Sequence, residues 1–275
     1  MIRSTYSSTV HRKSEQGFTL VELSIVLVII GLIVGGVLVG QDLIKAAEIR
    51  ATVGQIEKYN AAINTFRTRY GGLPGDLSNA SATNFGMLTG RTANAGQGDA
   101  NGLLEGGAAA ATDVAWETAL FWRDLGFANL VDGAFAGGVA AVTTSATAPV
   151  GSFVPPAKVG RGNYITVFSS NGLNFYEVAY MSAIAAGVPT MASAGMTPTE
   201  TMNMDNKIDD GLPNTGIVLA QWHTTLNNGP QSATPPAAMS GASTVTTACV
   251  NTTPTPPVYN TLNNAPLCNA RFRFN

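Results

Sequence analysis

Charge is scarce in this chain: only 12% of its residues are Asp, Glu, Lys or Arg, about half the share in an ordinary globular domain. Fifteen basic residues against seventeen acidic ones leave a formal charge of −2. A basic nucleic-acid surface is therefore not expected, and nucleic acid is not expected as a partner. Two cysteines exclude both a disulfide-dense scaffold and a four-cysteine zinc site. The two histidines, His11 and His223, are far apart in sequence, so a histidine-dependent catalytic centre has few candidates. His223, beside Trp222, reads as a packed or surface histidine. There is no Gly-x-Ser-x-Gly elbow, no Walker loop, no His-Glu-x-x-His and no Cys-x-x-Cys. An enzyme is not expected.

What is present begins at the N-terminus. Residues 1–16 are polar, with Arg3, His11, Arg12 and Lys13 against Glu15. After Gly17, Phe18 to Val39 is apolar apart from Thr19, Glu22, Ser24 and several glycines. As a helix that run is about 33 Å long, enough to cross a bilayer core. It is too long for a secretory h-region of about 7–15 residues, and no small-x-small cleavage site follows it. The basic flank predicts that residues 1–16 stay cytoplasmic and that the bulk of the chain is exported. Glu22 is the anomaly: an acidic group at mid-bilayer costs about 2.5–3.5 kcal/mol on insertion scales, less near the edge. Something must offset that cost.

Beyond the run the helix is expected to continue. Ile49, Val53, Ile56, Ile63, Phe66 and Tyr70 form one stripe, and Glu48, Arg50, Glu57, Lys58, Arg67 and Arg69 take other faces. Gly71-Gly72 followed by Leu73-Pro74 stops it. The unit is one helix of roughly 50 residues, about 75 Å long. Residues 71–112 and 133–160 read as loop. Residues 113–130 read as a second helix, capped by Thr112 or Asp113, with Trp116, Ala119, Leu120 and Phe127 toward its buried face. Residues 163–169 and 173–181 flank Asn171-Gly172, a strong hairpin signal. A third strand is expected at 215–222, and a helix at 197–210 capped by Thr197 or Thr199. Residues 227–268, rich in Asn, Thr, Pro and Ala, read as loop.

The stretch GFTLVE (17–22) resembles the prepilin signal of type IV pilins and type II secretion pseudopilins. The basic leader, Gly, Phe, Glu at the fifth mature position and a long apolar tail occur together over about fifty residues. LPGD (73–76) also resembles the turn after the spine in many pilin-like sequences, and MDNKIDDGLPNTG (204–216) a segment of larger ones. The resemblance implies cleavage after Gly17 by a prepilin peptidase and N-methylation of Phe18. Glu22 then pairs with the new Phe18 ammonium of a neighbouring subunit, because two costly charges lose much of their cost together. Gly31, Gly35, Gly36 and Gly40 are spaced for close helix approach or local stretching.

The expected fold is α+β and pilin-like. A long N-terminal helical spine, membrane-spanning in its first half, packs on a small antiparallel-sheet head with long loops. The divisions are a leader at 1–17, an assembly helix at 18–40, an amphipathic continuation at 41–70 and a head at 71–275. Cys249 and Cys268 resemble the disulfide-closed C-terminal loop of many pilins, and an oxidising compartment would pair them. No cofactor is expected beyond calcium. Asp205, Asp209 and Asp210 before a glycine turn could supply calcium's oxygen ligands, as some pseudopilins do, or form a solvated helix face. Asp99, Asn101 and Glu105 begin an EF-hand-like loop but lack its later ligands. The implied partners are the peptidase, other subunits in a homo- or hetero-polymer, the inner membrane and the assembly platform. The head would lie in the periplasm, then in a periplasmic pseudopilus or an extracellular pilus. Alternatives are a minor or tip subunit whose head binds a surface, DNA or secreted cargo, and a membrane-tethered enzyme.

Overall fold

The computed structural model describes residues 17, 19–91, 98–105, 116–137, 149–185, 188–190, 194–222 and 249–274. The chain forms two compact units, Met1–Lys45 and Ala46–Asn275. Helix α1 (Leu20–Tyr70) contributes its first part to one and its last part to the other.

In the first unit the described helix buries nothing. Leu20, Ile25, Leu27, Ile33, Leu38 and Ile44 are all more than half exposed. A Cβ added at Gly31, Gly35, Gly36 or Gly40 would meet no atom within 4 Å. Among the described residues nothing packs against these glycines.

In the second unit the stripe expected from the sequence is buried: Ile49, Val53, Ile56, Ile63, Phe66 and Tyr70, joined by Thr52, Tyr59 and Ala62. Phe66 and Ile63 are essentially inaccessible. Tyr59 meets the Trp122 ring edge-on at 4.8 Å, which fastens α1 to helix α3 (Trp116–Phe127). The Gln55 side chain donates to the Pro156 carbonyl at 2.9 Å and accepts from the Lys158 N–H at 2.9 Å, which pins a loop to the helix. The helix stops where expected: the Gly71 N–H closes the last turn on the Arg67 carbonyl, and Pro74 cannot continue it.

One four-stranded antiparallel sheet forms the other layer. Its strands are β1 (Asn163–Ser170), β2 (Leu173–Tyr180), β5 (Val218–Trp222) and β8 (Cys268–Phe274), in the order β1-β2-β8-β5. The β1–β2 turn is Asn171-Gly172, both with positive φ, the conformation that twists correctly into a two-residue hairpin. Alternate residues Val167, Tyr176, Phe272 and Val218 join the main core with α1 and α3. Short pairs β3 (Ala183–Ala185) with β4 (Val188–Thr190), and β6 (Val250–Asn251) with β7 (Val258–Tyr259), lie beside it.

Helix α4 (Pro198–Ile208) is capped by Thr197, whose side chain accepts the Glu200 N–H while Glu200 reaches back. That reciprocal box, with Pro at the first position, settles the choice between Thr197 and Thr199.

Several expectations are corrected. Phe127 is 51% exposed and Trp116 half-buried; Ala119 and Leu120 are buried as expected, and Phe121, Trp122 and Leu125 complete the buried face of α3. The 71–112 region holds a short helix α2 (Asn79–Asn84) capped by Ser78. The 227–268 loop ends in strand material, and β8, unforeseen, is one of the two interior strands of the sheet. The caps Thr112 and Asp113 lie outside the described residues.

Candidate functional site

At the N-terminal end of α1, Gly17 is exposed and precedes the helix; Phe18 lies outside the described residues. Thr19 and Glu22 close a reciprocal cap. The Thr19 N–H and hydroxyl both donate to Glu22 Oε2 at 2.8 Å, and the Glu22 N–H donates to Thr19 Oγ1 at 3.2 Å. The signal was present in the sequence, since a threonine three residues before a glutamate at the head of an apolar run is a capping box. Glu22 therefore has a local partner in its own chain as well as any partner in a neighbour. Two of the first orphan N–H groups of α1 are satisfied, and a carboxylate stands where the helix dipole favours it. Behind the cap, α1 is long and apolar enough to cross a membrane, and its most apolar stretch is unburied.

Cys249 and Cys268 are bonded, with Cα atoms 5.2 Å apart. Cys268 opens β8 opposite Trp222 of β5. The Asn260 N–H donates to the Cys249 carbonyl. The bridge thus ties the β6–β7 hairpin to an interior strand.

The acidic groups fall into two clusters. Asp205, Asp209 and Asp210 do converge, each offering an oxygen within 4.8 Å of the others. Protein donors already occupy most of these oxygens. Asp205 accepts from the Tyr259 hydroxyl at 2.8 Å and the Gly211 N–H at 3.3 Å. Asp209 accepts from the Ile217 and Val218 N–H groups, and Asp210 from the Leu212 N–H and the Thr215 hydroxyl. Burial, with the neighbouring carboxylates, pushes Asp205 up to about 6. The Thr215 and Leu212 donors hold Asp210 below the usual carboxylate range. The cluster closes the turn between α4 and β5, and that work explains its geometry.

In the second cluster Asp99 meets Asp76 and Glu117, two residues that nothing in the sequence connects with it. Asp76 accepts the Ala100 and Gly102 N–H groups, both at 2.7 Å. Glu117 accepts those of Gly98 at 2.6 Å and Glu105 at 2.9 Å. Two carboxylates thus cradle the 98–105 loop. Asn101 is not aligned with an EF-hand ligand set; its side chain bonds Asp99 and Glu105. Burial, reduced by these donors, places Asp76 at about 6 and Glu117 at about 8. Beside them Arg91 and Asp124 form a fully buried ion pair at 2.6 Å. Asp124 also accepts the Gly75 N–H at 2.8 Å. Gly75 has φ +86°, and a Cβ there would strike the Glu117 carbonyl. This explains the LPGD turn: glycine lets it lie against α3, and Asp76 holds the loop.

His223 lies outside the described residues. Comparison with curated proteins and with solved structures returns no match. Residues 12–38 match a family model described as the prokaryotic N-terminal methylation motif. Followed by an exposed apolar helix, this stretch is the prepilin-type signature of type IV pilins and pseudopilins.

Proposed function

We propose that the chain is a structural assembly subunit, cut after Gly17 by prepilin peptidase and N-methylated on Phe18, that polymerises through residues 18–40 into a type IV pilus or type II secretion pseudopilus. Residues 1–17 are the leader, 41–70 continue the spine, and 71–275 form a head in the periplasm. One observation supports this most: an apolar rod whose described residues are unburied carries a lone acid five residues after Gly17.

Such a surface needs lipid or other apolar helices to cover it. Stacked subunits with an axial stagger bring the Phe18 ammonium of one to the Glu22 of the next. Glu22 keeps its Thr19 cap while the subunit is in the membrane, and the neighbour's ammonium adds a stronger partner in the bundle. Wrong registers leave both charges unpaired. The four glycines, with open space above each, suit close approach by neighbouring helices.

The test is the mass of the protein in membranes and in sheared or secreted filaments. A chain beginning at N-methyl-Phe18, with the unprocessed chain accumulating when the peptidase is deleted, is the expected result. Filaments built from chains that begin at Met1 would refute the proposal. Filaments sheared from the cell surface indicate a pilus; a subunit confined to the periplasm and needed for export of a folded protein indicates a pseudopilus.

A further inference from the structure

The sheet has a second face with its own chemistry. Phe168, Phe175 and Leu219 form a small apolar cluster separate from the main core. On the same face the register sets Glu177 opposite Arg271, and Phe175 opposite Arg273. Arg271 is 5% exposed, lies over the Phe168 ring at 4.8 Å, and holds its Nε 3.5 Å from Glu177 Oε2. Beside this pair is a cavity of about 110 Å³ lined by Ser170, Leu173, Phe175, Leu219, Arg271 and Arg273, closed by Asn171 and Gly216.

We propose that this cavity binds a small carboxylate that carries a compact apolar body: either a free organic acid or the C-terminal residue of a peptide. Three observations carry the assignment. First, the charge of the wall is unbalanced. Arg271 and Arg273 line the cavity with no carboxylate among the lining residues; Glu177 is committed to Arg271, and Asp209, behind Gly216, is committed to the Ile217 and Val218 N–H groups, so the exposed Arg273 is the cation that an incoming carboxylate would meet. Second, the Ser170 hydroxyl belongs to a residue only 7% exposed and has no hydrogen-bond partner among the described residues. A buried hydroxyl left unpaired costs free energy that a ligand oxygen recovers. Third, Leu173, Phe175 and Leu219 make the rest of the wall apolar, which suits a hydrocarbon body rather than a hydrated inorganic ion. The volume is somewhat below the ~150 Å³ cavity that accepts benzene, so a group between a branched aliphatic side chain and a phenyl ring fills it. Planar guanidinium groups suit carboxylate oxygens in a two-point contact.

Arg273 is the exposed gatepost and the residue to change, because its loss leaves the buried Glu177–Arg271 pair intact. The experiment uses the full chain in neutral detergent micelles, titrated by calorimetry and ligand-observed NMR. The probes are benzoate, neutral benzamide, acetyl-Ala-Ala-Leu with a free carboxylate, and the same peptide as its amide. At least one acid should bind saturably with Kd on the order of 1 mM, as expected for so few atoms. Its neutral counterpart should bind at least about tenfold more weakly, and so should the acid to Arg273→Ala, with Arg273→Lys in between. Ser170→Ala should weaken the acid a few-fold. Binding of benzoate alone assigns a free acid, and binding of the peptide alone assigns a chain terminus. Melting curves of the variants that overlay wild type tie any loss to the site. The proposal is overturned if neither acid binds saturably, or if acid and neutral forms bind alike, or if Arg273→Ala leaves binding unchanged.

Discussion

Residues 20–44 and residues 46–274 of this chain solve opposite problems. The first stretch is the more apolar, yet its large side chains lie exposed. The second is richer in polar residues, yet it buries Trp122, Phe66, Phe121, Tyr176 and Phe272 almost completely. Apolar content alone therefore does not mark the core; the core is where apolar residues alternate with polar ones at a helix or strand period and meet a partner from elsewhere in the chain. The rod has no such partner among the described residues. On the proposed function its free energy is realised in lipid or in a bundle of like helices, whereas the head's is realised on folding. Substitutions should accordingly divide into those that unfold the head and those that leave folding alone and change assembly.

The largest expected effect on folding is at the buried ion pair. Arg91→Ala leaves Asp124 charged and half-satisfied among inaccessible groups, and the head should lose about 3–5 kcal/mol in urea unfolding. Leu27→Ala, at a position 64% exposed in the rod, should change the same measurement by less than about 0.5 kcal/mol. Equal effects at the two positions would erase the division.

Next comes the bridge. Replacing Cys249 and Cys268 together by Ser opens a loop of sequence separation 19 and should cost about 3 kcal/mol in the chain-entropy model, again by urea unfolding. Membrane insertion of the rod, read by carbonate extraction, should not change.

The loop cradle gives a pH signature confined to the head. Glu117 sits at about 8 against an ordinary 4.5, because burial disfavours its charge. Its folded pKa lies above the unfolded one, so between about pH 5 and 8 the folded state holds a proton the unfolded state has lost, and stability falls as pH rises. Glu117→Gln should gain on wild type across that window by about 1–3 kcal/mol. Parallel stability curves for the two proteins would show that Glu117 is ionised in the fold. Gly172→Ala, at φ +74° in the β1–β2 turn, should cost about 1–2 kcal/mol, the smallest loss expected among these head variants.

Legibility followed the range of the interactions. The spine stripe, the Asn171-Gly172 hairpin and the Thr197 cap rest on near neighbours, and the sequence displayed them. Strand β8 was missed although Ala270, Phe272 and Phe274 alternate with Asn269, Arg271 and Arg273. Two arginines read as surface until Glu177, on another strand, is seen to bury one of them. Asp76 and Glu117 are far apart in sequence and are brought together only by the Gly75 turn lying on α3. The Thr19–Glu22 cap is equally local, but a carboxylate in an apolar run carries two signals at once, a helix start and a charge in need of a partner, and the second is the stronger.

That cap also makes the central proposal testable, because Glu22 serves its own helix and, in the proposed filament, would also serve a neighbour. Thr19→Ala removes the hydroxyl of the cap and keeps the carboxylate; Glu22→Ala removes the carboxylate. The decisive measurement is the yield of the subunit in purified filaments for both variants, with processing checked by mass. Both should be cut after Gly17, and both heads should melt as wild type does. Thr19→Ala should assemble and Glu22→Ala should not. Filaments of Glu22→Ala at wild-type yield would contradict the pairing of neighbours, leaving the glutamate as a helix cap and nothing more.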